Sequence, residues 1–135
     1  MGSIPISVKS FIIIDIILVS FHLIMILPNP NIGFEIKRWI YVLATLYLIA
    51  SIVIFRWHKT GCITGIIKAC TCIILSIAAI GIGISTYIKN LRLSDFHRMS
   101  AESGILICLI LGIIFATYFI FNLLAFIKYK KSLTK

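Results

Sequence analysis

The sequence predicts an all-α, polytopic membrane protein: a bundle of four transmembrane helices joined by short loops. Four apolar runs occupy most of the 135 residues, and each is close to the roughly 20 residues that a helix needs to cross about 30 Å of hydrocarbon. The chain is 61% hydrophobic and 13% charged, whereas a soluble domain is about half apolar and about a quarter charged. Strands of a membrane barrel alternate apolar and polar residues. These runs do not alternate, so the spans are predicted to be helices.

The four spans are predicted at residues 10–28, 38–56, 66–88 and 103–127 of a single domain that covers residues 1–135. The first span contains one charged residue, Asp15. The second is uncharged between Arg38 and Arg56. Lys68 stands at the start of the third span, and Lys128 follows the fourth. Basic residues at the ends of apolar runs are typical of membrane spans, because they bind lipid headgroups.

Three short connections join the spans. Residues 28–38 contain Pro-Asn-Pro-Asn and Gly33, which predict a turn. Residues 56–65 form a compact link, and residues 89–102 form the longest loop. Ser94 and Asp95 in that loop are residues that cap helices, so a brief interfacial helix is predicted there.

Basic residues predict that both termini lie in the cytoplasm. With that orientation, eight Lys and Arg residues are inside and five are outside, in agreement with the excess of positive charge in cytoplasmic segments. The inner residues are Lys9, Arg56, Lys59, Lys68, Lys128, Lys130, Lys131 and Lys135, and the outer ones are Lys37, Arg38, Lys89, Arg92 and Arg98. The predicted location is integral to the plasma membrane or an endomembrane, with the lipid bilayer as a partner.

Polar residues inside the spans are the first candidate site. Asp15 lies roughly 9 Å beyond Lys9 along a helix, and an ionisable group at that depth is costly and usually faces protein or water. His22, seven residues later, is predicted on the same helix face. Lys68 and Asn122 are predicted at the depth of Asp15. This intramembrane polar cluster is either an ion or proton site or a set of contacts that fixes helix register.

Small residues form the second pattern. They recur every four residues along two spans, and this spacing lets helix backbones approach closely. They are Gly104, Cys108, Gly112 and Ala116 on the fourth span, and Ala79 and Gly83 on the third. The stripes indicate helix packing, either within the bundle or against another subunit.

The sequence contains no catalytic signature: no nucleophile elbow, zinc-protease helix or phosphate-binding glycine loop. The chain is therefore not expected to be an enzyme. His58 and His97 fall in predicted loops, so His22 lacks a second haem ligand at its depth, and no metal or cofactor is predicted. The net charge of +9 comes from the span ends, so nucleic acid is not expected as a partner. Cys62, near the inner surface, is a candidate for palmitoylation.

The fourth span, Ala116-Thr-Tyr-Phe-Ile-Phe-Asn-Leu-Leu-Ala-Phe-Ile-Lys-Tyr, loosely resembles the aromatic last helix and basic tail of small eukaryotic four-pass (tetraspan) membrane proteins. These include the lysosome-associated four-pass proteins and the insect four-pass proteins of septate junctions. Their plan of four spans, short loops and both ends inside is similar to the one predicted here. Asp15 is also placed like the essential early carboxylate of small multidrug-resistance transporters, which use Glu.

Two functions are compatible with these patterns. The first is a non-enzymatic integral membrane protein that organises or accompanies other membrane proteins, or itself, through helix–helix contacts; Gly112→Leu is then expected to disrupt assembly. The alternative is a small oligomeric transporter or channel subunit that uses Asp15 as a proton or cation site, with His22 further along the path; Asp15→Asn is then expected to abolish flux.

Overall fold

The computed structural model describes the backbone of residues 3–91 and 95–135, with their side chains except those of residues 95–101 and 103. The described residues form four α-helices and one short 3-10 helix, with no β-strand among them. The α-helices are α1 (Ile6–Ile26), α2 (Phe34–Ile52), α3 (His58–Asn90) and α4 (Asp95–Leu133); the 3-10 helix is Val53–Phe55. All four α-helices are long and apolar enough to cross a membrane. The all-α, four-span fold class is confirmed.

Helices α3 and α4 are longer than the spans predicted at residues 66–88 and 103–127. They contain 33 and 39 residues, or about 50 and 58 Å at 1.5 Å per residue. The predicted link at 56–65 and loop at 89–102 are wrong in extent, because α3 begins at His58 and α4 at Asp95. Hydropathy marks only the part of a helix that suits hydrocarbon, whereas backbone hydrogen bonding continues into the polar interface. Asp95 thus begins α4 and not a separate interfacial helix, and Ser94 lies outside the described residues.

The turn between α1 and α2 is held by side-chain hydrogen bonds. The ammonium of Lys37 donates to the carbonyl of Leu27 at 3.0 Å, and the side chain of Asn29 accepts from the backbone N–H of Asn31 at 2.9 Å. Gly33 precedes the first residue of α2. The turn predicted from Pro-Asn-Pro-Asn is present, although α2 begins four residues before the predicted span.

The turn between α2 and α3 is tight and requires a glycine. The N–H of Trp57 donates to the carbonyl of Val53 at 2.9 Å, and the N–H of Gly61 donates to the carbonyl of Trp57 at 2.7 Å. A Cβ at Gly61 would lie 2.1 Å from the Cα of Ile54, well inside contact distance. The absence of a side chain at Gly61 therefore lets α3 and the 3-10 helix meet backbone to backbone.

The chain divides into two compact units. Unit 1 consists of Met1–Lys68 and Asn122–Lys135, so it holds α1, α2, the start of α3 and the end of α4. Its buried apolar core consists of Ile4, Val8, Ile12, Ile54, Cys62, Phe126 and Tyr129. The ring of Phe126 packs on Gly65, where a Cβ would lie 2.4 Å from the ring.

Unit 2, Ala69–Phe121, contains the remainder of α3 and α4. The two helix segments pack through glycines on both sides. A Cβ at Gly112 of α4 would lie 2.7 Å from Cγ1 of Ile80, and a Cβ at Gly83 of α3 would lie 3.0 Å from Cδ2 of Leu109. Much of the remaining surface of this unit is exposed isoleucine and leucine, which suits contact with lipid.

Candidate functional site

Asp15 and Lys68 form a buried ion pair in unit 1. Asp15 is 0% exposed and Lys68 is 6% exposed, and the ammonium of Lys68 donates to Oδ2 of Asp15. Lys68 lies about three turns into α3, well inside the helix and not at its start as predicted. An isolated buried charge is very costly, so each residue makes burial of the other possible.

Two side chains of α2 complete the surroundings of the Lys68 ammonium. It donates to the hydroxyl of Ser51 at 3.0 Å, and that hydroxyl donates to the carbonyl of Tyr47 at 3.0 Å. The ring of Tyr47 lies 4.7 Å from the ammonium and the ring of Phe126 lies 5.7 Å from it, both within cation–π range. The ammonium therefore meets a carboxylate, a hydroxyl and two aromatic rings.

Asn122 of α4 is wholly buried, and its amide has no hydrogen bond. It is 0% exposed, and neither Nδ2 nor Oδ1 has a hydrogen-bond partner among the described residues. Asn122 lies about one turn before Phe126, on the same face of α4, and the ring of Phe126 lies beside Lys68. An unpaired buried amide costs about 1–3 kcal/mol. Such groups are rare in native proteins and each calls for an explanation, such as a bound water, an ion or a functional role.

His22 is not part of this cluster, which corrects the prediction. Its side chain is exposed, and its Nδ1 lies 2.7 Å from the carbonyl of Leu18 in the same helix. The spacing of seven residues does place His22 near the face of Asp15. However, it also displaces His22 by about 10 Å along the helix axis, and there the ring bonds to its own backbone.

Sequence reasoning missed Ser51 and Tyr47. Ser51 lies five residues before Arg56, much as Asp15 lies six residues after Lys9, so a comparison of depths from the basic ends would have found it. However, serine also packs inside membrane helices without any special role, so its hydroxyl alone does not indicate a site. Tyr47 carries no such signal, since aromatic residues occur throughout the spans.

Unit 2 carries a second candidate site, an open groove between its segments of α3 and α4. One part has a volume of about 520 Å³ and is lined by Ala79, Ile82, Gly83, Thr86, Asn90, Gly104, Ile105 and Cys108. An adjoining part of about 380 Å³ is lined by Cys72, Leu75, Ser76, Ala79, Cys108, Leu111, Gly112, Phe115 and Phe119. Ala79 and Cys108 line both parts, so the two parts adjoin along the α3–α4 contact, and together they are called the groove.

The groove is about as long as the hydrocarbon layer of a bilayer is thick, and small residues form part of its lining. Its α3 side extends from Cys72 to Asn90, or about 27 Å at 1.5 Å per residue, close to the roughly 30 Å hydrocarbon thickness of a bilayer. Five of the six residues in the predicted small-residue stripes line it. The exception is Ala116, which is half-buried and does not line the groove.

Three further residues lie where the start of α3 and the end of α4 pack together in unit 1. The hydroxyl of Tyr129 lies 2.9 Å from Nδ1 of His58, which joins the end of α4 to the start of α3. Cys62 is 0% exposed, so its thiol is not accessible for palmitoylation. Within the described residues, no group of three His, Cys, Asp or Glu side chains is arranged to hold a metal ion.

Comparison with known proteins adds no family assignment. The chain matches no protein-family model, and neither the curated proteins nor the solved structures contain a significant match. The ion pair of unit 1 and the groove of unit 2 are the features of the described residues that bear on function.

Proposed function

We propose that this chain is an integral membrane protein that accompanies another membrane protein by holding one of its transmembrane helices in the groove between α3 and α4. The groove of unit 2 is the observation that supports this proposal. It is open, it extends over about the thickness of the hydrocarbon layer, and its walls carry small side chains along both helices.

The physical reason is the way in which helices associate in lipid. Lipid tails are as apolar as leucine, so apolar surface alone does not drive association, and helices bind where small residues allow close van der Waals contact. Gly104 has no atom within 4 Å of a Cβ position, and Cys108 and Ala79 are exposed. A partner helix can approach the backbones of α3 and α4 closely at these positions.

The sharpest test compares two glycines, Gly104 and Gly81, at which an added Cβ would meet no neighbouring atom within 4 Å. We expect Gly104→Leu to fill the groove and release the partner, because the new side chain projects into the space that the partner helix occupies. Gly81 also has no atom within 4 Å of a Cβ position, but it lies two residues from both Ala79 and Gly83, hence on the opposite face of α3. Gly81→Leu is the matched control and should leave the complex intact.

The measurement is the mass and protein composition of the particle extracted from its native membrane in mild detergent. The unmodified chain should co-purify with another membrane protein in a defined ratio, and Gly104→Leu should lose most of it. A complex that survives Gly104→Leu, or a particle that contains this chain alone, would contradict the proposal.

Gly112, the position that the sequence suggested for this test, is unsuitable. A Cβ there would already lie 2.7 Å from Cγ1 of Ile80, so Gly112→Leu would disturb the internal packing of unit 2. Loss of a complex in that variant would report misfolding as readily as a lost interface.

A transporter or channel subunit is the second candidate, and the polar cluster of unit 1 supports it. Ionisable residues within membrane spans often mark ion or proton pathways, and the unpaired amide of Asn122 offers an oxygen and an N–H to a water or an ion. In this function Asp15 releases Lys68 and takes up a proton or a cation.

Flux through proteoliposomes tests this candidate. The reconstituted chain should carry protons or monovalent cations, and Asp15→Asn should abolish that flux. Because Asp15→Asn leaves the buried ammonium of Lys68 without its counter-charge, flux is compared at equal amounts of folded protein. Unchanged flux in Asp15→Asn would remove Asp15 from the mechanism, and the absence of flux in the unmodified chain would leave the ion pair a structural role.

A further inference from the structure

We propose that one end of unit 1 is a binding surface for anionic phospholipid headgroups. This basic surface is defined by six exposed cationic side chains, which come from the start of α1, the α2–α3 turn and the end of α4. They are Lys9, Arg56, Lys59, Lys128, Lys130 and Lys131. Among the described residues of these segments there is no exposed acidic side chain to balance them.

Packing inside unit 1 brings together the three segments that carry these charges, since Ile4 and Val8, Ile54, and Tyr129 share one buried core. The hydrogen bond between Tyr129 and His58, at 2.9 Å, joins the end of α4 to the start of α3. Lys130 follows Tyr129 directly, and Lys59 follows His58 directly. Exposed like charges on one surface repel each other, and counter-charge nearby reduces that repulsion.

Helix dipoles do not explain why all six basic residues lie at this surface. Cations stabilise the C-terminal end of a helix, which accounts for Lys130 and Lys131 in the last turn of α4. However, α1 and α3 begin at this surface, and the positive end of a helix dipole disfavours cations. Neither helix has an acidic residue in its first turn, and Lys9 and Lys59 lie close to these starts. The positive charge at α1 and α3 therefore opposes local helix electrostatics.

Exposed aromatic residues locate the same surface at the level of the headgroups. Trp57, between Arg56 and His58, is 60% exposed, and Phe55 is 50% exposed. Trp is enriched where hydrocarbon meets headgroups, because its ring is amphipathic. Basic residues beside an interfacial Trp attract the phosphates and carboxylates of anionic lipids, and this attraction weakens beyond a Debye length of about 8 Å at physiological salt.

Trp57 supplies a local probe for the test, since the chain has two tryptophans. Trp39, the other one, is 61% exposed, and it lies in the first turns of α2, next to the exposed ion pair of Arg38 and Glu35. Trp39→Phe leaves Trp57 as the fluorophore, and Trp57→Phe leaves Trp39 as the matched control. Each full-length variant is reconstituted in phosphatidylcholine vesicles that contain either brominated phosphatidylserine or brominated phosphatidylcholine, and quenching is compared.

We expect brominated phosphatidylserine to quench Trp57 several-fold more strongly than brominated phosphatidylcholine, and to show a much smaller preference at Trp39. The combined change Lys128→Gln, Lys130→Gln and Lys131→Gln should remove most of the preference at Trp57, since each basic residue near an anionic surface contributes substantially. These lysines are exposed at the end of α4, so the fold should survive.

High salt provides a second measurement that needs no lysine substitution, and it should weaken the same preference. Equal quenching by the two lipids at Trp57, or a preference that neither salt nor the triple substitution reduces, would overturn the proposal. Loss of the preference when soluble inositol phosphate is added, at unchanged ionic strength, would also overturn it, because the surface would then select free polyanions over lipid.

Discussion

At the residue scale, the stability of the fold depends on both partners of the buried ion pair of Asp15 and Lys68. Removal of one partner leaves the other as an uncompensated buried charge, which costs about 3–5 kcal/mol, whereas replacement of both by apolar residues is often neutral or stabilising. We therefore expect Asp15→Leu and Lys68→Met to be strongly destabilising singly, and the double variant to recover most of the loss. Thermal unfolding in detergent measures all three.

The exposed ion pair of Arg38 and Glu35 is the control for this experiment. Its atoms are 3.1 Å apart, but its side chains are 60% and 69% exposed, and exposed pairs contribute only about 0–1 kcal/mol. Glu35→Gln should therefore leave stability nearly unchanged. A double variant of Asp15 and Lys68 as unstable as the single ones would show that the pair is not the source of the effect.

The sequence predicted part of this cluster, because burial of a charge in lipid is a constraint visible in the sequence alone. Asp15 is a charge within an apolar run, Lys68 is a charge at the start of one, and Asn122 is an amide deep in the fourth span. The roles of Ser51 and Tyr47 depend on which face of α2 meets Lys68, and hydropathy does not reveal that rotation. His22 was predicted beside Asp15 because the two residues share a helix face. However, His22 lies about 10 Å from Asp15 along the helix axis, so a shared face did not bring the two side chains together.

At the element scale, the α2–α3 turn depends on Gly61. An added Cβ would lie 2.1 Å from the Cα of Ile54, and backbone atoms cannot move aside as the end of a flexible side chain does. We expect Gly61→Ala to destabilise the fold by about 3 kcal/mol, at the upper end of ordinary overpacking. The measurement is the midpoint of thermal unfolding.

Gly81→Ala is the matched control for Gly61→Ala, since both glycines lie within α3 and nothing approaches a Cβ at Gly81. Alanine favours helix over glycine by about 0.5–1 kcal/mol, so Gly81→Ala should be neutral or stabilising. Equal effects of the two substitutions would mean that the turn tolerates a side chain and is looser than described.

The presence of four helices could be predicted from hydropathy, but the residues at which the helices begin and end could not. The predicted start of the third span at residue 66 missed two turns of α3, because His58, Lys59 and Thr60 are polar and read as a loop. Their helical state depends on tertiary contacts, namely Ile54 on Gly61 and Tyr129 with His58. The four-residue spacing predicted that Gly112 lies at a helix contact, but not that Ile80 is the residue it accommodates.

At the scale of the whole molecule, four membrane-spanning helices require both termini to lie on the same side. The excess of basic residues predicts the cytoplasmic side. Epitope tags at each terminus, with antibody binding measured before and after permeabilisation of cells, should be accessible only after permeabilisation. Two tags accessible in intact cells would reverse the predicted orientation, and one accessible tag would contradict four spans.

The separation of Asp15 and Lys68 along the chain has a consequence for biosynthesis. The partners are 53 residues apart, and at roughly 5–20 residues per second a ribosome needs about 3–10 s to add that length. During this interval the carboxyl group of the first helix has no Lys68 to pair with, so its burial in lipid is costly until the third helix is added. A nascent chain that stalls before Lys68 therefore keeps the carboxyl group of Asp15 in the first helix without its Lys68 partner. This is a feature by which membrane quality control can recognise an unfinished protein.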